Sequence, residues 1–462
     1  MNNKETINLN QNQEDTIRFE GLFKVVNSLK AIAIFQMIVW HCYHYYKFLP
    51  LRDHSNLIID SIIEIGDFSG DTYVFLSGFI LTLLLTQKNY DSHSWKEWYK
   101  KRIVRIFPIF ILATVAYVIY QFFVFGDMNS INSILIHMSG LQSLPTKPIR
   151  VFLMIEGSHW FITFILICYL LFPILYYFLR KNFKLTVVII LLLYTIYLFF
   201  SYPIYWALDD GIFIIFQEHL YQWQFGIMTL RYFVFFFGMI IGYWIGKNPE
   251  KSLRFLQNRK IGLISIISLL VLTIIYTIFQ VWKYDFLDMV RILYHPLLTI
   301  LFFIFIFCFL SKRKRINHIL GIPGEKLYEI FLFHQLAKFL TAYILFNYFG
   351  LEKNIVLLWL LIPIIIFESI ILATPFYRLS IYLKRKTKYH KIIIIISLSL
   401  IVYGIISVIF DYSKGTIFNF SQHLIDANAL ILYFLILIIV ILTYILYFLI
   451  KKYKKKEIKF SI

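Results

Sequence analysis

Twelve stretches of this sequence are each long and apolar enough to cross the hydrocarbon layer of a membrane, and they dictate what the chain can fold into. They fall at about 24–46, 70–87, 103–125, 160–179, 185–201, 229–246, 261–280, 292–310, 327–348, 354–374, 391–410 and 429–450. Lipid offers no partner to a backbone N–H or C=O, so a crossing segment of about 20 residues must satisfy its own backbone as a helix. The expected fold class is therefore all-α, a polytopic membrane helical bundle of about twelve transmembrane helices. With 60% hydrophobic and only 15% charged residues, the chain has more apolar surface than a soluble core can hide. Its solvent is expected to be membrane lipid.

The charges test this reading. A net charge of +19 would point to nucleic acid in a soluble protein, but here the bases sit in alternate short loops, which is a topology signal and implies no nucleic-acid partner. One set of loops holds Lys88, Lys96, Lys100, Lys101, Arg102 and Arg105; Arg180, Lys181 and Lys184; Lys247, Lys251, Arg254, Arg259 and Lys260; Lys312 to Arg315; Lys384, Arg385, Lys386 and Lys388; and the terminal KKYKKK. The other set is acidic, with Asp53, Asp60, Glu64 and Asp67, then Asp209, Asp210 and Glu218, then Asp285 and Asp288, then Asp411 and Asp426. Both termini are thus expected in the cytoplasm. Cys42, Cys168 and Cys308 are odd in number and lack ligand spacing, so neither a disulfide framework nor a metal is implied.

An ionisable side chain in the hydrocarbon layer is costly, and each is a functional candidate. Lys30 and His41 share the first span. Eleven residues is almost three turns, which puts both on one face about 16 Å apart along the axis. The plainer alternative is a snorkelling lysine and an interfacial histidine. Arg102 and Arg105 fall one turn apart at the start of the third span, a fork suited to phosphate oxygens, or simply a basic flank. Asp71 opens the second span, where Ser77 and Gly78 let a neighbouring helix approach. His334 lies about 12 Å into its helix, as an acid–base group or as a packing residue. His159 and Arg231 mark helix ends on the acidic side, either as acceptor contacts or as interfacial residues, and Glu368 is expected to pair with a base.

Five of these segments, in order, resemble the acyltransferase 3 family of membrane O-acyltransferases. The resemblance rests on Lys30 and His41; on Asp71 with Ser77, Gly78 and Phe79; on Arg102, Arg105, Ile106 and Pro108; on Gly157 to Trp160 followed by Tyr169 and Pro173; and on Tyr328 to His334. It runs from about residue 22 to 380, and is similar to the branch acting as surface-polysaccharide acetyl- and succinyltransferases. Two departures stand out: Phe164 and Ile165 occupy the place of a Glu found in many members, and Ala373-Thr374-Pro375 lacks the usual Glu before Pro.

The resemblance implies a donor acyl-CoA, acetyl-CoA in the first instance, and a hydroxyl acceptor on a surface carbohydrate or lipid-linked glycan. It implies His41, Lys30 and His334 as catalytic, Arg102 and Arg105 as donor-binding, and Asp71, Ser77, His159, Trp160 and Arg231 as substrate-binding. The expected organisation is a polar cytoplasmic tail over 1–22, a ten-helix acyltransferase domain over 23–380, two additional helices over 381–450 and a basic tail over 451–462. Polysaccharide-synthesis machinery is the implied cellular partner, in a bacterial inner membrane. The rival reading is a transporter without acyl transfer, since twelve spans with both termini inside also suit a carrier. No internal repeat and no Gly/Pro-broken spans in matching halves support it.

Overall fold

The computed structural model describes residues 3–47, 69–87, 95–125, 130–142, 157–209, 219–281, 287–345 and 355–413. The expected span 429–450, the terminal KKYKKK and most of the acidic loop residues lie outside them. All regular structure among the described residues is helical. Among the described residues, six stretches, against the twelve expected, are long and apolar enough to cross a membrane: Gly21–Tyr43, Ser69–Gln87, Trp95–Val124, Trp160–Lys181, Leu360–Arg385 and Thr387–Ser407. A seventh arises if Pro249–Leu256 and Arg259–Ile275, bent by 57°, count as one.

The first helix, α1 (Asn3–Lys47), runs back through the polar tail, where the apolar pattern alone starts near residue 24. No Pro interrupts that tail and its first Gly is Gly21, so nothing local stops the helix. Next come α2 (Ser69–Gln87), α3 (Trp95–Phe125), the short α4 (Ile131–Met138), α5 (Trp160–Lys181) and α6 (Phe183–Asp209). Then follow α7 (His219–Lys247), α8 (Pro249–Leu256), α9 (Arg259–Val281) and α10 (Leu287–Leu310). The described chain closes with α11 (Lys314–Glu325), α12 (Leu327–Tyr343), α13 (Ile355–Arg385) and α14 (His390–Ser413).

The chain divides into two compact units, Met1–Ala113 with Phe161–Ile394, and Thr114–Trp160 with Ile395–Ile462. At the centre of the first, α2 and α7 meet backbone to backbone. A side chain at Gly78 would collide with the Phe235 carbonyl, one at Gly238 with that of Phe75, and one at Gly242 with that of Phe79. Glycine at every fourth position of α7 (238, 242 and 246) therefore cuts the groove into which α2 sinks, the usual device where lipid supplies no hydrophobic drive between helices. α2 is accordingly buried along nearly its whole length. Phe303 of α10 fills the remaining side, 5.0 Å from the Phe75 ring and 5.2 Å from that of Phe79.

The pairings also fix relative directions. Residues 75, 79 and 86 of α2 meet 238, 242 and 246 of α7 in that order, so the two run parallel. α5 runs with them, Phe164 meeting Tyr232 and Tyr176 meeting Tyr243. α3 opposes α5, Trp95 meeting Tyr176 while Trp98 meets Tyr169. α13 opposes α12, since Lys326 donates to Thr374 while Thr341 donates to Glu368. Midway along α1, Ser28 Oγ donates to the Asn317 carbonyl of α11 at 3.3 Å, and Gly324 lies against the backbone of Asn27.

In the second unit, Ser130 caps α4 by accepting the Ser133 N–H at 3.1 Å. Tyr403 of α14 donates to Asn132 Oδ1 at 2.6 Å, and Gly404 lies against the Ser139 side chain.

Candidate active site

Both α1 candidates reach neighbours inside the first unit. Lys30 Nζ donates to Asn27 Oδ1 at 3.0 Å and lies within electrostatic reach of Arg105 and Glu325. Arg105 in turn acts on Tyr169, Tyr328 and Glu329. Arg102 sits with its guanidinium carbon 5.1 Å from the Trp98 ring centroid and 5.9 Å from that of Tyr169. Both arginines lie within electrostatic reach of Tyr169. Tyr328 fastens α12 to α3 by donating to the Ile106 carbonyl at 2.8 Å. One end of the unit thus gathers Lys30, Arg102 and Arg105 among tyrosines.

At the other end, the imidazoles of His41 and His334 lie 5.1 Å apart, centroid to centroid. His334 is 1% exposed, and its Nδ1 donates to the Phe331 carbonyl at 2.6 Å. That bond selects the tautomer in which Nε2 is the basic nitrogen of the neutral ring. Phe331 packs beside His334 at 5.9 Å between ring centroids, and it clusters with Phe161, 5.2 Å away, and Tyr73, 6.4 Å from each phenylalanine. Lys338, one turn beyond His334, is buried, with Nζ 4.4 Å from the Phe339 ring centroid, and its charge reaches Cys42 beside His41.

Two residues from Tyr73, Asp71 is wholly buried and takes two charge-assisted bonds. Arg231 Nε donates to its Oδ1 at 2.8 Å, and His295 Nδ1 to its Oδ2 at 2.5 Å. Asp71 does open α2, in its first turn, and there it is closed off by this pairing. One expectation is corrected: Arg231 is not a helix-end residue, because α7 starts at His219 and carries Arg231 inward to 6% exposure. The aromatic and polar run from His219 extends the helix beyond its purely apolar part.

In the second unit, His159 is buried rather than interfacial. It follows Ser158 in a 3-10 turn, and its Nδ1 lies 2.9 Å from His137 Nε2. Gln142 donates to its carbonyl at 2.7 Å, and Tyr117 meets its ring edge-on. Burial and the neighbouring imidazole hold His137 well below the usual histidine range. Trp160, next in sequence, is half-buried.

A family model described as an acyltransferase domain matches residues 23–378, well over half of the chain. The chain belongs to the acyltransferase 3 family. Together with its apolar helices, this membership makes it a membrane acyltransferase. Neither the curated proteins nor the solved structures give a match.

For this acyltransferase 3 member, the first unit brings Lys30 and both arginines together at one end, and His41 and His334 at the other. Asp71 and Arg231 bind each other, Ser77 lies beside the α2–α7 seam, and His159 and Trp160 belong to the second unit. Glu368 accepts from Thr341. Sequence reasoning passed over His295, Lys338 and Glu329, although a histidine, a lysine and a glutamate within apolar runs carry the same cost signal that singled out Lys30 and His41. His137 gave no such signal, being drawn into place only by the fold around α4. Thr374, in the Ala373-Thr374-Pro375 stretch, accepts from Lys326 at 2.9 Å.

Proposed function

We propose that this acyltransferase 3 member moves an acetyl- or succinyl-type group from cytoplasmic acyl-CoA to a hydroxyl of a cell-surface polysaccharide or its lipid-linked precursor. The observation that carries this is the placement of two imidazoles, His41 and His334, in contact near the end of α1, while Lys30, almost three turns earlier on the same helix, lies within electrostatic reach of Arg105. The protein sits in a bacterial cell membrane with about twelve spans and both termini cytoplasmic. Alternation of basic and acidic loops supports that orientation. So does helix direction: α2, α5 and α7, expected as the second, fourth and sixth crossings, run parallel, as even crossings must.

On this reading Arg102 and Arg105 receive the donor's phosphates, Lys30 adds positive charge to that end, and the pantetheine arm spans the roughly 16 Å from Lys30 to His41, so that the thioester reacts beside the imidazoles. The acceptor oxygen attacks the thioester carbonyl carbon, forming a C–O bond and breaking the C–S bond. His41 takes the hydroxyl proton as general base, and that proton leaves with the sulfur as the free thiol of CoA. His334 relays or stabilises the charge on His41. The acceptor approaches past Tyr73 and Phe161, with Ser77 as the further contact proposed. Polysaccharide-synthesis machinery supplies the acceptor.

The test is His41→Ala in cells whose wall glycan is analysed by mass spectrometry. Membrane insertion and yield should match the wild type, while ester-linked acyl groups on the glycan disappear. Unchanged acylation removes His41 from the mechanism.

A further inference from the structure

The proposed reaction uses the side of α1 that faces Arg105. Along residues 21–27 of α1, a cavity of about 640 Å³ opens between α1, α8, the end of α10 and α11, adjoining the Lys30 end at Asn27 and Glu325. Its polar lining is distinctive. Lys24, Lys314 and His318 supply cationic or proton-donating groups from two helices, against a single acid, Glu325. Lys24, Lys314 and His318 are exposed, so their heads are free to close on an anion. Deeper in, Asn317 is 6% exposed and its amide is oriented without ambiguity, because Nδ2 donates to the Leu310 carbonyl at 2.6 Å. Its Oδ1, buried, has no partner among the described residues. A buried acceptor left in that state costs free energy until a donor arrives.

The rest of the lining is apolar, with Leu22, Phe307 and Ile322. The helix forming one wall, α11, also carries exposed Ile319 (57%) and Ile322 (52%) next to its bases. A short helix with bases and exposed isoleucines is suited to lie in a membrane interface. Basic openings between spanning helices on the cytoplasmic side are where anionic headgroups collect.

We propose that this cavity binds the phosphate ester of an anionic headgroup that also carries a hydroxyl. The phosphate is held by Lys24, Lys314 and His318, and the hydroxyl donates to Asn317 Oδ1. A membrane phospholipid is the source the apolar wall favours; a soluble phosphate is the other source of the same chemistry. Of the proposed function, only the orientation is used here, and no acyl transfer is required.

The full chain, purified in mild detergent, is titrated with phosphatidylglycerol and, separately, phosphatidylcholine, and bound lipid is read by native mass spectrometry. Phosphatidylglycerol should be retained and phosphatidylcholine not. A Lys24→Ala/Lys314→Ala variant should bind roughly tenfold or more weakly, with recovery in the Lys24→Arg/Lys314→Arg variant. Failure of millimolar inorganic phosphate to displace the lipid assigns the site to lipid. Displacement assigns it to a soluble phosphate compound. Equal retention by wild type and the alanine variant, or equal binding of both lipids, overturns the proposal. Loss of acylation in His41→Ala has no bearing on the result, so the two readings fail separately.

Discussion

Asp71 shows how a residue's cost reveals its partner. A carboxylate buried among apolar helices is tolerable only when paired, and here one anion meets Arg231 and His295. Removing the anion leaves a guanidinium buried without compensation, the most destabilising way to break such a pair. Asp71→Asn is expected to cost about 3–5 kcal/mol, read as a fall in the detergent unfolding midpoint. Asp71→Leu/Arg231→Met should recover most of that loss. His334→Gln separates chemistry from packing at the other site: it fills the same space and can still donate to the Phe331 carbonyl, so the midpoint should hold. On the proposed mechanism, acylation should fall by roughly 10²-fold or more, the usual worth of an acid–base group, measured as ester-linked acyl per glycan unit. The intramembrane charges were legible in the sequence one by one. Their pairings were not, because Asp71, Arg231 and His295 are joined only when three helices separated by long stretches of chain lie side by side.

At the scale of elements, the α2–α7 seam and the α4 turn are the two places where the fold is most exposed to single changes. Gly242→Val puts branched carbons into the Phe79 backbone, and the helices cannot part without losing their packing. Little folded protein should survive, seen as loss of the monodisperse peak in size-exclusion chromatography, while Gly321→Ala, facing open space, should elute as wild type. Gly78 was readable as an approach point from its neighbours. The glycines of α7 repeat at every fourth position in plain view, but which helix fills their groove depends on tertiary order. Around α4, His137 stays neutral because burial and His159 disfavour its proton. Its folded pKa is depressed, so an opened state binds the proton more readily, and protection of this segment should weaken as pH falls below about 6.5, the unperturbed histidine value. Hydrogen exchange of residues 131–142 at pH 7.5 and 5.5 checks this, with His137→Gln expected to flatten the difference.

For the whole molecule, apolar length and loop charge carried most of what could be foreseen. The all-helical class and the positions of most helices follow from backbone satisfaction in lipid, and the family motifs carried the acyltransferase reading. The spatial grouping was harder to foresee: residues 114–160, written as a loop and helix end, form a unit with the stretch from Ile395 onward. Nothing in local periodicity couples segments so far apart. The proposed orientation is checked by single cysteines in an otherwise cysteine-free chain: Arg254→Cys should react with a membrane-impermeant maleimide only after permeabilisation, and Asn56→Cys in intact cells.

The pairing of His41 with His334 has a consequence in time as well as in space. About 290 residues of chain separate them, so at the usual pace of synthesis, about 5–20 residues per second, the first imidazole waits roughly a quarter of a minute to a minute for the second. A nascent chain halted before α12 is already anchored in the bilayer yet lacks half of the pair, and whatever chemistry the two histidines perform together begins only once position 334 of the 462 has been made.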